Sequence, residues 1–209
     1  MKRTWKDISV PLRDSMVQWP GDPVCRIERV RKMEQGDMCN LTHLSMSVHT
    51  GTHMDAPRHF LPDGITMEKM PMEPVIGRCR VIEFEVEDQI TADDLKKLRL
   101  LSGQRLLFKT RNSARSWTMK EFDKDFISIR SDAAQVLADL KIMTVGVDYM
   151  SIGGYGKDVV ETHQIMLGAG IWVIEGLNLA EIKPGYYDLI CLPVKIEGAD
   201  GAPCRAVLR

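Results

Sequence analysis

The chain has 209 residues, enough for one sizeable core, and its 44% hydrophobic and 27% charged content is ordinary for a soluble globular protein. A formal net charge of -1 removes the basic field that a nucleic-acid partner would need, and no apolar run approaches the roughly 20 residues that span a bilayer, so neither nucleic acid nor membrane is expected as a partner. The five cysteines, Cys25, Cys39, Cys79, Cys191 and Cys204, are odd in number and form no C-x-x-C pair, which fits reduced thiols better than a disulfide framework. The charged start Met1-Lys2-Arg3 has no apolar run behind it, so no secretory leader is expected and the expected location is the cytoplasm.

Trp5 to Leu12 reads as a short strand ending near Pro11, and Trp19-Pro20-Gly21-Asp22-Pro23 as a turn cluster that places Trp19 on a loop. There it either covers the edge of the core or forms an aromatic wall for a planar ligand. From Val24 to Met33 apolar and charged residues alternate, predicting an antiparallel strand with one wet face, and Gly36-Asp37 turns the chain back. Leu44, Met46 and Val48 then alternate with Ser45, Ser47 and His49, predicting a half-buried strand that delivers His49 on its polar face.

That strand runs into a segment gathering His49, His53, Asp55 and His59 inside eleven residues. Imidazole nitrogen and carboxylate oxygen suit zinc, manganese or iron, and a catalytic ion needs such ligands while keeping a position open. His49 and His53 stand four apart, a helical spacing, but Thr50, Gly51 and Thr52 disfavour a helix and Pro57 pushes Ala56 toward an extended backbone. A turn at Gly51 would let His53 and Asp55 meet the same ion as His49. Four metal-competent side chains in so short a span make a scatter of surface histidines the weaker reading.

Downstream, Pro62-Asp63-Gly64 begins a loop-rich crossing in which Met67, Met70 and Met72 are expected to serve as flexible packing. Gly77 to Val86 and Leu106 to Thr110 read as core strands, and Thr91-Ala92-Asp93-Asp94 as a capped helix start leading to Leu95, Leu98 and Leu101. Arg111 to Lys124 is polar and reads as a surface excursion. Ser131-Asp132 can cap a helix that carries Ala133, Val136, Leu137 and Leu140 on one face. Ile142 to Val147 predicts a buried strand closed by Asp148, which places Asp148 and Ser151 where sites tend to lie. Gly153, Gly154 and Gly156 lack the helix cap and acidic partner of a nucleotide site and read as a mobile loop. Val159 to Leu167 is predicted helical and holds His163; Ile171 to Ile174 is a buried strand ending in Glu175; Tyr186 to Ile196 and Cys204 to Leu208 form a terminal hairpin.

The motif His49-x-Gly51-Thr52-His53-x-Asp55-Ala56-Pro57-x-His59 resembles the signature of the cyclase-like metal-dependent hydrolases, the family of bacterial kynurenine formamidases and isatin hydrolases. Trp19-Pro20-Gly21-Asp22, Gly146-Val147-Asp148 with Ser151, and Thr162-His163 with Glu175-Gly176-Leu177 resemble further family blocks, so nearly the whole chain is covered in order. Mixed strands and helices by themselves indicate an α/β or mixed α+β class. The resemblance implies a single-domain swivelling β/β/α fold over residues 1–209, assembled as a homo-oligomer, dimer or tetramer. It implies two divalent ions per chain, zinc with manganese as the alternative, one held by His49, His53 and Asp55 and one by Asp55, His163 and Glu175. His59 would then be the catalytic acid-base group, and Trp19 would bind substrate. The implied activity is arylformamidase-type hydrolysis of a small molecule such as N-formylkynurenine, the formamide of tryptophan catabolism. Opening of a cyclic amide such as isatin is the alternative within enzymes, and a non-catalytic metal scaffold the alternative outside them. The glycine-rich loop Asp148–Gly156 departs from the proline-bearing loop of the formamidases, a difference that bears on the substrate.

Overall fold

The computed structural model describes residues 4–209. Its strands are β1 (Lys6–Asp7), β2 (Arg26–Arg31), β3 (Leu41–Ser45), β4 (His53–Asp55), β5 (Ile76–Glu83), β6 (Gln89–Ile90), β7 (Arg105–Lys109), β8 (Ser128–Ile129), β9 (Thr144–Val147), β10 (Trp172–Glu175), β11 (Gly185–Pro193) and β12 (Gly201–Leu208). Its helices are α1 (Ala92–Lys96), α2 (Asn112–Arg115), α3 (Ser131–Asp139) and α4 (Val159–Gly168). Eight strands make one sheet in the order β1-β12-β11-β5-β7-β9-β10-β4, and β4 also pairs with β12, so the sheet closes into a barrel. β5, β7, β9 and β10 are mutually parallel, whereas β4, β11 and β12 join antiparallel.

Strands covered on both faces need near-continuous apolar sequence, and β7, β9 and β10 have it. Leu107, Val81 and Ile174 meet Met54 and Leu189 in one cluster that fills the barrel. Their sequence neighbours Leu106, Phe108, Ile82 and Val173 point the other way, into a second cluster beneath α1, α3 and α4 with Leu95, Leu137 and Met166. Each such side chain contributes roughly 1.5–3 kcal/mol by leaving water.

Most predicted elements are present. Thr91 caps α1 in a reciprocal box with Asp94, whose carboxylate accepts the Thr91 N–H at 3.1 Å. Leu95 is buried as expected, while Leu101 lies beyond the helix and is exposed. α3 buries Ala133 and Leu137, but Ser131 is its first residue and does not cap it; the Ser131 N–H instead donates to Asp158 Oδ2 at 2.6 Å. Met67 and Met70 pack into the barrel cluster, and Met72 is exposed. All five cysteines are free thiols, Cys191 and Cys204 lying 3.3 Å apart across the terminal hairpin.

Three expectations need correction. β2 does pair antiparallel with β3, but the ribbon buries neither face, and Val30, Leu41 and Leu44 are all close to half exposed. A two-stranded ribbon has no second layer to cover it, so alternation alone does not ensure burial. The segment Arg111–Lys124 is exposed from Thr118 to Glu121, as expected of a surface excursion, but Asn112, Ser113, Ser116 and Asp123 on either side are buried. Polar composition does not distinguish a wet loop from a buried hydrogen-bonded one. The loop with Gly153 and Gly154 is closely packed instead of loose: a side chain at Gly153 would lie 2.5 Å from the Val159 backbone.

Candidate metal centre

β3 stops at Ser45, so His49 is delivered by a turn, not by the predicted strand. The Thr50 N–H donates to the Ser47 carbonyl at 3.2 Å, and Gly51 takes φ +69°, a left-handed angle that suits glycine. The chain then straightens into β4, clamped between β10 and β12. In these ladders His53 stands opposite Glu175, and Asp55 opposite both Val173 and Gly201. α4 brings His163 over the same end. A turn, two strands and a helix thus converge His49, His53, Asp55, His163 and Glu175.

Asp55 is the hub. Its carboxylate lies 2.9 Å from His49 Nδ1, 3.5 Å from His53 Nε2 and 3.7 Å from His163 Nε2. Glu175 lies 3.3 Å from His53 Nε2 and 3.3 Å from His163 Nε2. His53, Asp55, His163 and Glu175 are each at most 3% exposed, so they are shut off from bulk solvent. His53 donates Nδ1–H to the Gly51 carbonyl at 2.9 Å and His163 donates Nδ1–H to the Val159 carbonyl at 2.6 Å. Carbonyls only accept, so Nδ1 of both rings carries hydrogen, and Nε2 is the atom that each ring turns toward the carboxylates and could offer to a metal.

This arrangement suits a cation. His53 Nε2 and Asp55 Oδ2 are buried and have no hydrogen-bond partner, an expensive state unless something else binds them. Potential ligand atoms of His53, Asp55 and Glu175 lie within 4.8 Å of one another, as do those of His49, Asp55 and His59. The donor set of imidazoles and carboxylates fits a divalent transition metal.

His59 follows Pro57 in a short 3-10 turn and stacks on His49, with ring centroids 3.9 Å apart and planes at 22°. Its Nδ1 lies 3.3 Å from Asp200 Oδ2. Burial pushes its pKa down, and the Asp55 charge only partly offsets this, so the imidazole is neutral at pH 7 and can accept a proton. Burial also disfavours charge on His49, but its hydrogen bonds to Asp200 and Asp55 win and lift its pKa to about 10. Asp55 is opposed by burial too, yet the His49 hydrogen bond and the surrounding imidazoles hold its carboxyl well below the usual range.

The cluster opens into a cavity of about 410 Å³ lined by Trp19, His49, His59, Phe60, Ser151 and His163 among others, room for one aromatic ring with a short chain. Trp19 is therefore at the cavity, held edge-on by Phe122 at 5.2 Å and Tyr155 at 5.4 Å. A larger groove of about 750 Å³, lined by Val10, Leu44, Leu192 and Val194, contains none of the cluster.

Asp148 is the residue whose expected place changes. It is fully buried and consumed by hydrogen bonds from Thr110 and Ser113, while Ser151 does reach the cavity. Two cavity residues carried no signal in the sequence. Phe60 stacks on His163 at 4.1 Å, and Asp200 bonds His49 from 151 positions away in an unremarkable Gly-Ala-Asp-Gly turn.

Residues 6–153 match a family described as "Putative cyclase". Over 205 residues the chain is 33% identical to the kynurenine formamidase of Bacillus cereus, covering 98% of this chain and 97% of that one. The kynurenine formamidase of Erythrobacter litoralis is 33% identical over 209 residues, covering 100% and 94%. Among solved structures, a potential metal-dependent hydrolase with cyclase activity superposes with a TM-score of 0.86 at 34% identity, covering 98% of this chain and 96% of that one. Isatin hydrolase A from Ralstonia solanacearum gives a TM-score of 0.85 over 98% and 91% of the two chains, at 22% identity, a likeness of fold.

Proposed function

The chain belongs to the cyclase family of metal-dependent hydrolases, and we propose that it is of the arylformamidase type, cleaving an aryl formamide such as N-formylkynurenine to the amine and formate. The observation that carries this reading is the pair of orphaned buried ligand atoms, His53 Nε2 and Asp55 Oδ2, beside an aromatic-walled cavity that also holds a neutral imidazole.

In this reading His49, His53 and Asp55 would hold one divalent ion, and Asp55, His163 and Glu175 would hold a second. The central position of Asp55 among three imidazoles supports its being shared by both sets. Zinc is the proposed metal, manganese the alternative. When bound, such ions lower the pKa of water and polarise a carbonyl. The Trp19 ring holds the aryl group. His59 takes a proton from the attacking water as its oxygen joins the formyl carbon, then returns that proton to the amine nitrogen as the C–N bond breaks. One water is consumed, and one amine and one formic acid leave.

We read residues 1–209 as one domain, since β1 and β4 from one end of the chain pair with β12 from the other. No helix among the described residues is long and apolar enough to cross a membrane, and a cytoplasmic location is part of the proposal. So is a homo-oligomer, dimer or tetramer, which the exposed apolar side chains of the β2–β3 ribbon support.

The test is a hydrolysis panel of N-formyl aryl amines, isatin and simple lactones with the purified, metal-loaded protein. Preferential release of formate from aryl formamides is expected. Preference for isatin would replace the substrate with a cyclic amide, and no turnover on any member with metal fully bound would favour a non-catalytic scaffold.

A further inference from the structure

Asp200 lies in the turn between β11 and β12, and its Oδ2 is 3.0 Å from His49 Nε2 and 3.3 Å from His59 Nδ1. The turn is tied to the segment that carries His59. The Ala56 N–H donates to the Asp200 carbonyl at 2.8 Å, and the Met67 N–H donates to the Ala199 carbonyl at 2.9 Å. On its other side the Gly198 N–H donates to Glu68 Oε2 at 3.0 Å. Gly201 follows, opposite Asp55 in the ladder, and a side chain there would lie 2.6 Å from His49 Cε1. Only a glycine lets the His49 ring lie flat against this strand, within reach of the preceding carboxylate.

An ionised carboxylate accepts and does not donate, so it favours hydrogen on each nitrogen that faces it: His49 Nε2, which is hydrogen-bonded to it, and His59 Nδ1, which lies within ion-pair range. His49 Nδ1 faces a second carboxylate, Asp55 Oδ1 at 2.9 Å, so without metal it carries hydrogen as well, and it is the nitrogen at which a metal held by Asp55 would replace that proton. His59 is left with Nε2 as its lone-pair nitrogen. We propose that Asp200 is a positioning residue that sets the tautomers of both stacked histidines, His49 as an Nδ1 metal ligand and His59 as an Nε2 proton acceptor. The inference deepens the proposed hydrolytic site and rests on that reading. The chemistry is that of a carboxylate behind a metal-bound histidine, which orients the ring and strengthens it as a ligand, and of a carboxylate behind a catalytic base, which selects the tautomer.

The experiment combines Asp200→Asn and Asp200→Glu with a measurement on the unaltered protein. Asp200→Asn keeps the shape of the turn and removes the charge. It should weaken metal affinity, read by chelator competition, about 10- to 100-fold. It should also lower kcat by roughly 10²-fold or more with KM within about threefold, and Asp200→Glu should restore part of kcat. In the unaltered metal-loaded protein, ¹⁵N-histidine NMR should show His59 as the Nδ1–H tautomer, a readout that stands even if a variant fails to fold. Metal affinity within about twofold of the parent in Asp200→Asn, or an Nε2–H tautomer at His59, would overturn the inference. Neither of these readouts needs a substrate, so failure of the hydrolysis panel would count against the proposed substrate and not against Asp200.

Discussion

Asp148 and Glu175 end two neighbouring parallel strands of the barrel, both buried, and their surroundings differ. Asp148, just after β9, accepts the Thr110 N–H at 2.7 Å and hydroxyl at 2.9 Å, and the Ser113 N–H at 3.1 Å and hydroxyl at 2.8 Å. Asn112 adds a longer bond at 3.4 Å, and Trp117 Nε1 caps the Asp148 carbonyl at 3.1 Å. Neutral donors saturate this carboxylate, and burial still raises its pKa. Glu175, at the end of β10, accepts one backbone bond from Ile152 at 2.7 Å and otherwise faces imidazoles, next to an Asp55 oxygen that nothing satisfies. A saturated carboxylate has no lone pair left for a ligand and acts as a structural post. One whose remaining neighbours are imidazole nitrogens and a second carboxylate with an unsatisfied oxygen can offer its lone pairs to a cation.

The largest effect that should separate the two sites is Asp55→Asn. Loss of the carboxylate proposed to serve both ions should remove metal and reduce turnover by about 10⁴-fold or more, several kcal/mol of charge stabilisation, while the metal-free protein keeps its fold. Elemental analysis with far-UV circular dichroism checks this, and an unfolded Asp55→Asn would erase the contrast with Asp148. His59→Ala should cost roughly 10²- to 10⁴-fold in turnover with metal content unchanged. If metal is lost in proportion to activity, His59 is a ligand, as its place within 4.8 Å of the His49 and Asp55 ligand atoms allows. Asp148→Ala should do the reverse of Asp55→Asn. Urea unfolding should show a loss of roughly 3 kcal/mol from several abandoned buried donors, with metal per folded molecule unchanged.

A smaller effect concerns pH. The His49 pKa of about 10 in the folded metal-free chain exceeds the usual histidine value of about 6.5, because hydrogen bonds to Asp200 and Asp55 outweigh burial. Its stabilisation is fully present below the unfolded pKa and is lost as pH rises through the folded one. The Tm of the metal-free protein should therefore fall between about pH 6.5 and 10 more steeply than that of metal-free His49→Gln, and equal slopes would refute the linkage. The smallest effect is Trp19→Ala, which should weaken binding of aromatic substrates by roughly 0.5–1.5 kcal/mol more than of small aliphatic ones, measured as KM across the panel.

Local pattern is enough for the elements that admit one reading. The apolar runs of β7, β9 and β10, the capping box of α1 and the face of α3 all follow from local rules of burial and hydrogen bonding, and the cluster His49, His53, Asp55 and His59 is visible because four metal-competent groups crowd eleven residues. Family resemblance added His163 and Glu175, which no spacing ties to that cluster. Where the polar residues go depends on the assembled fold. It sent Asn112, Ser113 and Asp148 into a saturated internal network, stopped β3 at Ser45 so that a turn carries His49, left the β2–β3 ribbon uncovered, and brought Asp200 to His49, 151 positions away, and to His59. Periodicity reports which side of an element prefers water, a property of the element alone. The partner of a buried polar group depends on which strands the closed barrel sets side by side, and that is a property of the whole chain.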